Sequence, residues 1–242
     1  MENKDLHLVE HLDELRKRII IVLIAFIVFF ISAFIFVQDI YNLLLKDFSG
    51  KLAILGPSDI LWVYMMISGV FAIAATIPVV AFQIWKFIAP ALTKEESKVT
   101  LRFIPGLFIL FITGISFGYF VLFPIVLGFL LNLSEGQFET MFTADKYFRF
   151  VINLSLPFGF LFEMPLVVMF LTRLGILNPI RLAQARKISY FVLIVLSILI
   201  TPPDFISDIL VIVPLLLLYE LSVTISKIVY KKRLQNNLQA TI

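Results

Sequence analysis

Ile19–Val37 reads IIIVLIAFIVFFISAFIFV, without a single charge. A membrane-spanning helix needs about 20 mainly apolar residues, so this run predicts a span on its own. The same pattern returns along the chain. Leu61–Trp85 is the second run, with Pro78 inside it, and Phe103–Leu131 is the third, long enough to tilt. Phe150–Thr172 is the fourth, broken by Pro157 and Pro165 and carrying one carboxylate, Glu163. Ile188–Ile200 and Phe205–Tyr219 follow, separated only by Thr201-Pro202-Pro203-Asp204. Barrel strands would alternate over about 10 residues. These runs are longer and do not alternate, so the pattern predicts an all-α polytopic membrane protein with six transmembrane helices. The last two are expected to be short: Ile188–Ile200 as a helix rises only about 20 Å, against a hydrocarbon core of about 30 Å. That hairpin therefore either crosses locally thinned lipid or forms a re-entrant loop.

Composition agrees. Of 242 residues, 60% are hydrophobic and only 15% charged, with a mean hydropathy of +1.01. Soluble domains have roughly 45–50% apolar and about 25% charged residues, and one soluble core could not hide this much apolar surface. Disordered, collagen-like and nucleic-acid-binding classes need far more polar or charged residues. There is no cysteine, which excludes disulfides, thiol nucleophiles and thiolate metal sites. The two histidines, His7 and His11, precede the first run, which removes histidine chemistry from the membrane.

Charge sets the orientation. Sixteen of the 20 Lys and Arg residues lie in the N-terminal tail, the loops after spans two and four, and the C-terminal tail. Only Lys46, Lys51, Lys146 and Arg149 fall on the other side. This positive-inside bias predicts cytoplasmic termini. It also accounts for the pI near 9.1 without any nucleic-acid partner. The first run is too long for the core of a secretory signal peptide, and no small-x-small cleavage site follows it. The expected organisation is a single integral membrane domain over 1–242: a cytoplasmic tail at 1–18, a six-span bundle at 19–226 and a cytoplasmic tail at 227–242.

The polar residues near and within the spans carry the functional readings. Leu8, Leu12 and Leu15 share one face of an amphipathic helix, which predicts that the N-terminal tail lies at the cytoplasmic interface and continues into the first span. Glu14 there is placed to pair with Arg18 four residues on. Thr93-x-x-Glu96 matches a capping box for the third span. Alternatively, Glu14 and Glu96 are two carboxylates at one interface, suited to a dibasic ligand and to Arg above Lys, because a planar guanidinium binds carboxylate bidentately. Glu163, amid Phe and Leu, is costly in lipid and marks a polar contact for a partner helix, a proton or ion site, or a group that satisfies backbone freed by Pro157 or Pro165. In Thr201-Pro202-Pro203-Asp204 the prolines force a turn and Asp204 caps the next helix, with Asp208 one turn later on about the same face. Pro57, Ser58 and Asp59 read as a helix start. Gly114 and Gly118 form a G-x-x-x-G, read as close helix packing rather than dimerisation. There is no G-x-x-x-x-G-K phosphate loop and no G-x-S-x-G elbow.

Taken together, His11-Leu12-Asp13-Glu14-Leu15-Arg16-Lys17-Arg18, Phe87-Ile88-Ala89-Pro90-Ala91-Leu92 followed by Glu96, Phe162-Glu163-Met164-Pro165 and Thr201-Pro202-Pro203-Asp204 resemble the TatC family. This is the multispanning component of the twin-arginine protein translocase, and the match covers nearly the whole chain. The resemblance implies a signal-peptide receptor in a bacterial or archaeal cytoplasmic membrane, without enzymatic activity or cofactor. It implies recognition of twin-arginine signal peptides of folded cargo by Glu14 and Glu96, with Arg16 and Phe87 lining or shaping that site. Glu163 is implied to face a concave, partly hydrated surface. An intramembrane partner site is implied at Glu163, Thr201, Asp204 and Asp208, with TatA- and TatB-type single-span helices docking along the last hairpin. Transport driven by the proton-motive force and self-association in a larger complex are implied as well. At Asp208 the resemblance favours a neutral polar group, and this chain has an acid. Read without the resemblance, Glu163 beside proline-broken helix also suits an ion- or proton-coupled solute transporter, though with few buried polar partners and no convincing inverted repeat.

Overall fold

The computed structural model describes residues 2–45, 52–91, 94–134, 141–201 and 204–239, with the side chains of 2–11, 91, 94–96, 98–99, 134 and 236–239 left out. The expected Thr93 cap and the Pro202-Pro203 turn therefore fall outside the described residues, as do the side chains of Leu8 and Glu96.

The described residues form helices and no strand. In chain order these are α1 (Glu2–Ile35), α2 (Val37–Leu44), α3 (Pro57–Ile88), α4 (Lys94–Phe117), α5 (Phe123–Ser134), α6 (Ala144–Phe162), α7 (Met164–Leu174), α8 (Pro179–Gln184), α9 (Arg186–Ile200) and α10 (Phe205–Gln239). Among the described residues five stretches are long and apolar enough to cross a membrane: Leu12–Ile35, Pro57–Ile88, Thr100–Leu133, Ala144–Leu174 and Phe205–Gln235. They cover five of the six expected runs; the other is the 15-residue α9.

The helix ends follow local chemistry. Pro57 occupies the first turn of α3, where its missing N–H costs nothing, and the Asp59 carboxylate accepts from the N–H groups of Leu55 and Gly56, each at 3.0 Å. This is the helix start read from the sequence. Between α4 and α5 the chain widens into one π-turn at Gly118–Leu122, with Phe123 N–H bonded to Gly118 O. Pro124 explains the widening: it has no N–H for Phe120 O and its ring would press on that carbonyl, so the helix takes up an extra residue. The fourth run breaks at Glu163, between α6 and α7, with Pro165 in the first turn of α7. Asn178 caps α8 by accepting from Ile180 N–H at 2.9 Å, ahead of Pro179.

The chain divides into two compact units. The first holds residues 1–108 and 142–148. In it α1 and α2 pack on α3. Ala53 bridges to Thr143, with Ala53 N–H donating to Phe142 O and Ala144 N–H to Ala53 O, both at 2.8 Å. Tyr41 meets Tyr64 edge-on and Phe148 at a tilt.

The second unit holds residues 109–141 and 149–242. Here α4 and the π-turn meet α6 at backbone distance. A Cβ on Gly114 would lie 2.3 Å from Phe158 O, and one on Gly118 would lie 2.5 Å from Ser155 Cα. The G-x-x-x-G is thus an intramolecular packing seam, as its packing reading expected. α10 packs along α7 and also meets α5, α8 and α9.

One expectation is corrected. The sixth run was expected to be short, but its helix continues for 35 residues to Gln239. Glu220 does not end it, because its charge is matched: Arg186 Nε and Nη2 each donate to it at 2.8 Å, and Tyr190 Oη at 2.6 Å. Beyond it, Ser222 and Ser226 are buried, and neither glycine nor proline interrupts the helix. The shortness holds for α9 alone.

Candidate functional site

Three groups of predicted site residues are placed by these helices. The first lies where α1 passes the C-terminal end of α3. Glu14 and Arg18 are one turn apart on α1, and Arg18 Nη2 donates to Glu14 Oε1. The same nitrogen donates to Lys86 O at 3.1 Å, and Nη1 makes a long bond to Gln83 O at 3.4 Å. The guanidinium carbon stands 5.8 Å from the centre of the Phe87 ring, within cation–π range. Sequence explains the Lys86 carbonyl: a continuing α-helix would bond it to residue 90, and Pro90 has no N–H. The end of α3 is also the negative end of a long helix dipole, which favours a cation there. Trp85 Nε1 donates to Ser97 O at 3.0 Å, tying the start of α4, which carries Glu96 in its first turn, to the end of α3.

Arg16 is not part of this cluster. It is 70% exposed and pairs with Asp13 at 2.6 Å, while Lys17 takes the other Asp13 oxygen at 2.8 Å. The Lys17 hydrogen bond is the main reason that the Asp13 carboxyl is held below its usual range. Asp13 is thereby committed to its own helix surface, while Glu14 is joined through Arg18 to the end of α3. The structure thus brings Glu14 and Phe87 together and sets Arg16 apart. It also puts Arg18, which the sequence reading treated only as a helix partner of Glu14, at the centre. The signal available in the sequence was Pro90, which orphans a carbonyl that a long cationic side chain can reach.

The second group is Glu163, in the break between α6 and α7. Its backbone O accepts from Leu166 N–H and Val167 N–H, each at 3.0 Å. The side chain makes no capping bond, and Oε1 is buried with no hydrogen-bond partner among the described residues. The reading in which this carboxyl satisfies backbone freed by a proline is therefore not what the structure has. A buried carboxyl oxygen without a partner is costly, and Phe162, the residue before it, packs its ring on Phe117 and Phe158.

The third group is the turn before α10. Asp204 Oδ2 accepts from Ser207 N–H at 2.7 Å, the N-cap bond expected from sequence, while Asp204 Oδ1 is buried without a partner among the described residues. Thr201 Oγ1 lies 2.9 Å from Ser197 O and also bonds to Asp208 Oδ1. Thr201, Asp204 and Asp208 are thus one local cluster. Two further features of this unit were not anticipated. Thr172 and Ser226 share a buried hydrogen bond of 2.7 Å between α7 and α10. Gly175 ends α7 with φ +80°, and a Cβ there would sit 1.9 Å from Arg233 Nη1. Hydroxyls at Ser222 and Ser226, one turn apart in an apolar stretch, were the available sign of the first. Nothing local announces the second. Among the described residues there is no group of three or more metal-ligating side chains.

Residues 10–214 match the family model described as Sec-independent protein translocase protein (TatC). The chain is 72% identical over 240 residues to the Sec-independent protein translocase protein TatCd of Bacillus subtilis (strain 168), covering 99% of each. It is 43% identical over 236 residues to TatCy of the same organism, covering 96% of this chain and 93% of that one. A crystal structure of the twin arginine translocase receptor TatC is similar to it with a TM-score of 0.79 and 35% identity, covering 90% of this chain and 99% of the other. This multispanning membrane protein therefore belongs to the TatC family of Sec-independent protein translocase components, which are transport receptors and not enzymes.

Proposed function

We propose that the chain is the signal-peptide receptor of a twin-arginine translocase, with both termini and the Glu14 site on the cytoplasmic side of a six-span bundle in a single membrane domain. Glu14 and Glu96 receive the two guanidinium groups of the signal peptide, with Phe87 beneath and Arg16 outside the cluster, paired with Asp13. TatA- and TatB-type helices dock along the last hairpin, where Thr201, Asp204 and Asp208 supply polar contacts. Glu163 supplies another within the membrane. The proton-motive force drives export.

One observation carries this reading. The site at Glu14 already holds a guanidinium, between a carboxylate, the orphaned Lys86 carbonyl and an aromatic face. That is the chemistry an arginine ligand requires. The test is binding of a fluorescent twin-arginine peptide to purified full-length protein, compared with the Lys-Lys peptide. A charged hydrogen bond is worth about 1.5–3 kcal/mol, so Glu14→Gln and Glu96→Gln should each weaken Arg-Arg binding at least about tenfold. Equal binding of both peptides by the parent protein, with a TatB-type partner present, would refute the assignment.

A further inference from the structure

We propose that Arg18 is the resident occupant of the arginine-recognition site, an internal competitor that a twin-arginine ligand has to displace. The proposal rests on the reading of Glu14 as the receptor carboxylate. An ordinary Glu–Arg pair one helical turn apart lies on an exposed surface and holds nothing else. Arg18 is different: it is only 9% exposed and enters the space between α1 and α3. It engages Glu14, two carbonyls at the end of α3 and the Phe87 face together. Glu14, the Lys86 carbonyl and the Phe87 face, which would recognise a foreign guanidinium, are thus already used by the chain's own.

The fit is incomplete. Arg18 Nε is buried with no hydrogen-bond partner among the described residues, and the bond to Gln83 O is long. A guanidinium evolved only to brace two helices would be expected to place its buried donors, because a buried donor without a partner is costly. A ligand guanidinium on a flexible peptide that pairs all of its donors would be held better in the same place than Arg18, whose Nε is idle. Arg18 then sets a threshold. The apparent affinity of the site is reduced by the fraction of time that Arg18 leaves it open, so peptides carrying two arginines in the right register enter and weaker cationic sequences do not.

The experiment compares the parent protein with Arg18→Gln and Arg18→Lys, all full length in the same detergent with a TatB-type partner present. Each is titrated with Arg-Arg and Lys-Lys peptides, and Glu14→Gln is the control for the site itself. If Arg18 competes, Arg18→Gln binds the Arg-Arg peptide about tenfold tighter than the parent, and Arg18→Lys falls between, since an ammonium lacks the planar fork. If Arg18 only positions Glu14, both substitutions leave Arg-Arg binding unchanged or weaken it, and the proposal is overturned. Thermal unfolding verifies each variant. Should Arg18→Gln fail to fold, Arg18→Lys decides by the same direction of change. The two readings fail separately. A parent protein that prefers Arg-Arg through Glu14, with no tightening in either Arg18 variant, keeps the receptor reading and ends this one. A parent with no preference, and no gain on removing Arg18, ends both. Binding seen only after Arg18 is replaced supports both.

Discussion

Helices α1 and α10 are almost equal in length, at 34 and 35 residues, and each holds a stretch able to cross a membrane. Within the protein they live differently. Only 6% of the most apolar window of α1 is buried, against 39% for that of α10. The more continuously apolar helix is the less packed one, the reverse of the rule for soluble proteins. Lipid tails are as apolar as leucine, so apolarity alone does not bring helices together in a bilayer; small and hydroxyl-bearing residues do. α1 offers a ladder of Phe26, Phe30 and Phe34 and broad Ile and Val surfaces. α10 offers Ser207, Ser222 and Ser226, all buried, with Ser226 bonded to Thr172 of α7.

Substitutions can break or sharpen this contrast, read as unfolding of the purified protein in one detergent. The largest loss is expected for Ser226→Leu, at about 1–3 kcal/mol, because Ser226 is fully buried and a larger side chain there overpacks the α7–α10 contact. Gly175→Ala should cost about 1–2 kcal/mol for the left-handed backbone at φ +80°, with displacement of Arg233 added. Thr172→Val should cost about 0.6 kcal/mol, the average for hydrogen bonds between membrane helices. Ile27→Ala on α1, where Ile27 is 54% exposed within the protein, should stay within about 0.5 kcal/mol. A loss at Ile27 as large as at Ser226 would end the distinction between a lipid-facing and a packing helix. Graded losses in this order would make hydroxyl content a quantitative guide to which spans pack.

Much of the architecture is legible because its causes are local. Asp59 starts α3, Asn178 and Asp204 cap the helices after them, and Pro165 sits just past the break that holds Glu163. Gly114 and Gly118 announced a close approach, though not that its partner is α6. The sixth span escaped because an acid reads as an end unless its partners are known, and the partners of Glu220 lie 30 and 34 residues earlier. The candidate site was half legible. Glu14 and Phe87, from two separate motifs, both lie against Arg18. The burial of Arg18 needed α1 and α3 to be placed side by side, and no spacing within one helix encodes that. Arg16 stands outside the cluster for a local reason: Asp13, three residues earlier, takes it.

The unbroken course of α1 also has a mechanical consequence. From Ile35 to Glu14 the helix is a stiff rod about 30 Å long. A change of ten degrees in its inclination about the Ile35 end carries the Glu14 carboxylate sideways by about 5 Å, enough to open or close a hydrogen-bonded pair. Inclination of a transmembrane helix is set by its packing on neighbouring helices and by its interfacial anchors. Whatever inclines α1 against α3 thereby acts by leverage on the contacts that Arg18 makes with the end of α3.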